Sequence, residues 1–253
     1  MKVLPDIKDL LEEKTVQYNN RSFIPDDPIC VPHMFSKKQD IEIAGFFAAM
    51  IAWGNRKSIV KNAKRIVELM DETPYEFIKE ASPKEIKRLS VFVHRTFNGD
   101  DMMEYVKALR KLYTKHNSLE HYFLKDSPEI DRITLFRKEF VKGIKSVHAI
   151  RHISNPETGS AAKRINMYLR WMVRNDKAGV DFGIWKNISP STLRLPLDVH
   201  TGNTARKLGL LTRKQDDAKA VAEVMQVLRT FDPLDPVKYD FALFGLGVFE
   251  KFT

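Results

Sequence analysis

Apolar positions in this chain recur at helical rather than strand spacing. Ile59, Val60, Ala63, Ile66, Val67 and Met70 share one face of a helix predicted over residues 56–70, with Lys57, Lys61, Lys64 and Arg65 mostly off it. The stretch 40–53 differs: Ile41, Ile43, Ala44, Phe46, Phe47, Ala48, Ala49, Met50, Ile51 and Ala52 leave it apolar almost all round. A helix of that kind belongs at the centre of a fold. Ser36-Lys37-Lys38-Gln39 reads as a capping box that opens it, and Gly54-Asn55 breaks it, with Asn55 placed to cap the next helix.

Other helix starts share one grammar of cap, proline and early acid: Thr73-Pro74-Tyr75-Glu76 and Ser82-Pro83-Lys84-Glu85. Asp100-Asp101 opens a helix to about residue 115, and Ser127-Pro128-Glu129 one to about 147. Later helices are predicted over 161–174, 201–208, 215–230 and 236–248. Only 90–97 has strand character, and 175–197 is irregular. The expected fold is all-α, a single unit over 1–253 made of two interleaved helical subdomains. Residues 36–147 form the central one; residues 1–35 plus 148–253 form the second. No repeat, linker or composition step marks a boundary.

Composition narrows the partners. The 253 residues carry a formal charge of +9, which makes nucleic acid the first partner to consider and an anionic membrane surface the second. No apolar run is long enough to cross a bilayer and residues 1–15 lack a signal-peptide core, so a cytoplasmic protein is expected. Cys30 is the single cysteine, which excludes an intrachain disulfide, a four-thiolate iron–sulfur cluster and a thiolate-rich zinc site.

Two segments can carry chemistry. In Leu195-Pro196-Leu197-Asp198-Val199-His200 the proline places Asp198 at a helix N-terminus, where orphan N–H groups favour a carboxylate. A plain N-cap uses the same placement. Basic residues follow at Arg206, Lys207, Arg213 and Lys214. In Thr158-Gly159-Ser160-Ala161-Ala162-Lys163-Arg164 a small-residue turn feeds into a helix, a geometry that most often is only a cap and that also suits a phosphate cradle. His148 and His152 have a metal-ligand spacing and His94-Arg95 is a second candidate, but no acid or cysteine in sequence completes a set, so no metal is expected. Tyr168, Trp171 and Met172 read as core, and Phe182 and Trp185 as anchors of the irregular stretch.

These segments together resemble the helix-hairpin-helix DNA glycosylases, typified by endonuclease III. Gly159 to Lys163 is similar to their hairpin and lysine, and Leu195 to Leu210 to their aspartate segment. The stretch 46–58 is similar to their central helix and following turn, and 239–247 to their last core helix. The wording is closest to an uncharacterised bacterial family related to these enzymes and to the archaeal 8-oxoguanine glycosylases. Departures are Thr158 for a proline, Ala161 for the second glycine, a longer separation of Lys163 from Asp198, Trp53 for a gap-filling glutamine, and no cluster cysteines.

The resemblance implies a DNA glycosylase of base-excision repair, with or without AP lyase activity, using no cofactor and acting as a monomer on duplex DNA with a damaged base. Lys163 and Asp198 would be catalytic and share a pocket between the subdomains. Asp198 would stabilise the positive charge that develops on the sugar, and Lys163 would attack the sugar carbon. Gly159, Ser160, Ala161, Arg164, Arg56, Lys57 and His200 would contact DNA. Trp53 and Asn55 would fill the gap left by the extruded base; a core role fits Trp53 as well. The alternative is a non-catalytic nucleic-acid-binding protein on the same scaffold, with a hydrolase of free nucleosides as a third reading.

Overall fold

Helix starts follow their caps. The computed structural model describes residues 4–125 and 131–252. Among these, twelve α-helices run in order: α1 (Leu4–Tyr18), α2 (Lys38–Met50), α3 (Arg56–Leu69), α4 (Pro74–Glu80), α5 (Pro83–Arg88), α6 (Gly99–Tyr113), α7 (Arg132–Val141), α8 (Val147–Arg151), α9 (Lys163–Val173), α10 (Val199–Lys207), α11 (Ala218–Phe231) and α12 (Tyr239–Val248). Among the described residues the protein is all-α apart from one two-stranded hairpin, β1 (Val93–His94) with β2 (Phe97–Asn98), which overlaps the 90–97 stretch of strand character and runs one residue past it. No helix among the described residues is long and apolar enough to cross a membrane.

The chain divides into two compact units, Pro25–Asn155 and Met1–Ile24 with Pro156–Thr253. The division falls at 25 and 155, against the 36 and 147 read from the sequence. In the first unit α2 is the centre, with every residue from Ile41 to Met50 buried. Phe46 meets Tyr105, Phe136 and Phe140 at ring separations of 5.3–6.1 Å. Glu42 is wholly buried there, and its carboxylate is held by Tyr113 Oη at 2.7 Å, Ser118 Oγ at 2.5 Å and Leu119 N at 3.0 Å. Those donors replace the water that burial removes.

Several starts behave as their residues dictate. Asn55 accepts from Ser58 N at 3.2 Å, and Ser82 and Glu85 close a capping box at α5. Two expectations need correction. The Ser36 box does not form: α2 begins one residue late with Lys37 as its uncapped N-cap, and Gln39 Nε2 donates to Asn117 O instead. The helix expected from Ser127 to about 147 ends early, at Val141, and a separate short helix starts at Val147. Its opening Ser127-Pro128-Glu129 lies outside the described residues. At its other end α7 stops before Gly143, where a Cβ would come within 2.7 Å of Ala108 Cα, and Ser146 then caps α8. Gly143 thus lets the chain pass close to α6 just after α7 ends.

In the second unit α12 packs between α1 and α10. Tyr168, Trp171 and Met172 are fully buried on α9, as expected of core residues, and Trp185 is buried edge-on against Tyr168 at 5.4 Å. The irregular stretch docks by its backbone: Phe182 N donates to Trp171 O at 2.8 Å and Trp185 N to Met172 O at 2.9 Å. It thereby satisfies the last carbonyls of α9.

Candidate active site

Lys163 is the first residue of α9, and the turn before it is tightly specified. Gly159 has φ +85°, which glycine adopts without penalty, and Ala162 sits in the left-handed region at φ 48° as N-cap. Nothing lies within 4 Å of where a Gly159 Cβ would be, so the turn presents an open backbone face. Ser160 Oγ accepts from Ala162 N at 3.1 Å, and Asn166 Nδ2 donates to Ala161 O at 2.9 Å. Ser160 bridges to Asp217, and Ala218 N donates to Gly159 O at 3.0 Å. The start of α11 thus braces the turn.

Asp198 caps α10, accepting from Thr201 N through Oδ1 at 3.0 Å. Its other oxygen, Oδ2, lies 3.3 Å from Lys163 Nζ. Both side chains are part exposed, 30% for Lys163 and 22% for Asp198, so a ligand can reach them. The pair joins residues 35 positions apart (198 less 163) within one unit.

Beneath the pair lies a charged layer that the sequence does not reveal. Lys163 and Arg170 fall on one stripe of α9, and Arg174 is its C-terminal cap. Arg170 is paired with Asp240 on α12, and with Asp181 at 3.2 Å. Arg174 pairs with Asp181 at 3.1 Å, Asp176 at 2.6 Å and Asp235 at 2.8 Å. Arg170 also lies 4.3 Å over the Phe241 ring. Burial pushes the Asp240 carboxyl up to about 6; Arg170 and Lys163 oppose that shift and Asp198 adds to it. Asp240 therefore senses both members of the surface pair.

The remaining predicted residues fall elsewhere. His200 is exposed in the first turn of α10, and Arg164 follows Lys163 on α9. The basic residues after Asp198 are partly neutralised: Arg206 pairs with Asp216 at 2.6 Å, Arg213 with Asp217 at 2.5 Å, and Lys207 stands 4.7 Å over Phe252. Hydrogen bonding from Arg213 holds the Asp217 carboxyl far below its usual range. Trp53, Asn55, Arg56 and Lys57 belong to the other unit. There Trp53 stacks on His152 at 5.7 Å and meets His94 edge-on at 5.2 Å, its carbonyl bonded to His94 Nε2 at 3.1 Å. Asn55 is occupied as the α3 cap, Arg56 lies 3.8 Å from Asp27, and Lys57 is exposed. For His148 and His152 the fold supplies the acid that the sequence lacks nearby: Asp101, from α6.

Fold and site define a helical protein that sets an amine against a carboxylate at the starts of two successive helices. The chain belongs to the family described as protein of unknown function (DUF2400), whose model matches residues 27–249. Comparison with curated proteins and with solved structures yields no match.

Proposed function

We propose that the protein is a DNA glycosylase, with Lys163 and Asp198 as its catalytic pair and the Gly159 turn as the hairpin that holds the phosphate backbone. The single observation that carries this reading is the 3.3 Å approach of Lys163 Nζ to Asp198 Oδ2 at a solvent-accessible position. An amine beside a carboxylate at a helix start suits cleavage of an N-glycosidic bond. The carboxylate stabilises positive charge on the sugar, and its helix cap holds it in place as that charge develops. As Lys163 Nζ attacks the sugar carbon its proton passes to Asp198, 3.3 Å away. The N-glycosidic bond breaks as the new C–N bond forms, and the nucleobase leaves with a proton from water. The left-handed Gly159, with nothing over its open face, lets an anion approach the backbone of the turn closely. The net charge of +9 suits a polyanionic substrate.

Borohydride trapping on a panel of lesion-bearing duplexes tests this. A covalent adduct or base release is expected with the wild type, lost in Lys163→Ala and Asp198→Ala. Absence of both products on every lesion duplex overturns the reading. Salt-sensitive DNA binding that Asp198→Ala leaves unchanged, without base release, would identify a non-catalytic binding protein instead.

A further inference from the structure

We infer that Asp101, His148 and His152 form a binding site for one zinc ion. The three side chains come from two helices of the Pro25–Asn155 unit: Asp101 from the first turn of α6, His148 from α8, and His152 from its C-terminal cap. One donor atom from each lies within 4.8 Å of the other two. Asp101 Oδ1 stands 2.8 Å from His148 Nδ1, and Oδ2 stands 3.5 Å from His152 Nε2. Ligand atoms around tetrahedral zinc, at bond lengths near 2.1 Å, sit about 3.4 Å apart. Through one oxygen, Asp101 Oδ2, the separations are 3.0 Å to His148 Nδ1 and 3.5 Å to His152 Nε2, close to that value. Every pair of the set lies within 4.8 Å, a spread that rotation of His148 closes. His148, whose side chain is 49% exposed, has the room to make them.

The surroundings hold the other two ligands still. Asp101 is buried, and its Oδ2 also accepts from Asn98 N at 3.0 Å within the α6 capping box, which fixes the carboxylate plane. His152 is stacked on Trp53 at 5.7 Å and packed edge-on to Phe97 at 5.2 Å. Tyr105 Oη donates to Ala149 O at 3.3 Å and ties α8 to α6, setting the distance between the two ligand-bearing helices. Such outer contacts orient ligands as much as the ligands themselves bind.

Ligand chemistry selects the ion. Two imidazole nitrogens with one carboxylate suit a borderline divalent cation and not magnesium or calcium, which take oxygen ligands. Three protein ligands leave one coordination position, on the solvent side next to His148, for water or a substrate atom. The inference is independent of the proposed glycosylase chemistry, because none of its residues belongs to that pair.

Calorimetric titration of the full, untagged chain with zinc chloride decides it. The wild type should take up one equivalent with micromolar or tighter affinity. His148→Ala, an exposed position where folding is retained, and Asp101→Asn, which keeps a capping oxygen, should each weaken uptake at least about tenfold. His116→Ala, in a stacked histidine pair with His121 elsewhere in the same unit, should leave it unchanged. No uptake by the wild type, or equal uptake by the wild type and His148→Ala, overturns the site. So does loss of uptake in His116→Ala.

Discussion

Gly245 on α12 meets the flat of the Tyr18 ring so closely that a Cβ at Gly245 would lie 2.1 Å from Tyr18 Cδ2. Tyr18 is half-buried and held on two sides. It stacks on Phe249 at 5.5 Å and donates to Glu250 at 2.6 Å. Gly245→Ala should therefore destabilise the protein by about 3 kcal/mol, the upper part of the usual overpacking range. Urea denaturation measures this, and Tyr18→Ala in the same background should recover part of the loss, because the two positions share one space.

Asp198 has two roles that substitution separates. Asparagine keeps an oxygen for Thr201 N, whereas alanine leaves that amide without its cap. Asp198→Ala should cost about 1 kcal/mol and Asp198→Asn much less. Both should lower base release by at least about a hundredfold if the carboxylate stabilises a cationic sugar. Thermal melts alongside an excision assay show whether activity and stability part in this way.

Asp240 should give a pH signature. Its folded carboxyl titrates at about 6, above its ordinary 3.8, so between these values the folded state holds more protons than the unfolded one. Stability from this group is therefore greatest below pH 4 and declines as pH rises through 6. Asp240→Asn lacks that titration. The wild type should lose stability relative to the variant on going from pH 4 to pH 7, by on the order of 2–3 kcal/mol. Parallel urea melts at the two pH values check the sign.

Two helix starts that look alike in sequence should respond unequally. Ser82 completes a capping box with Glu85, while the Thr73 side chain makes no cap bond and reaches only Met70 O at 3.5 Å. Ser82→Ala should cost about 1 kcal/mol and Thr73→Ala well under half of that. Equal losses in thermal melts would contradict the assignment.

Local signals made much of this fold readable. Asn55, Ser82 and Asp198 announce helix starts because caps act within three residues, and the apolar run of α2 announces burial. What spans distance was not readable. Nothing local marks Arg170 and Arg174 as buried, yet Asp181, Asp235 and Asp240 meet them inside the fold. Asp101 reads as a helix-opening acid. Its encounter with His148, 47 positions later, depends on how α6 and α8 pack. Gly143 gives no sign in sequence that α6 will crowd it. The meeting of Lys163 with Asp198 was expected from family likeness rather than from any local pattern.

The unit built on α1 and α12 is closed by polypeptide from both sides of an intervening body. During synthesis α1 is made long before α12 exists, and the whole of Pro25–Asn155 emerges in the interval. Segments made early and paired late spend that time with uncovered apolar surface. Nascent chains should thus acquire a protease-resistant 25–155 body first, with Lys163 and Asp198 locked into register only after the ribosome has released the residues of α12.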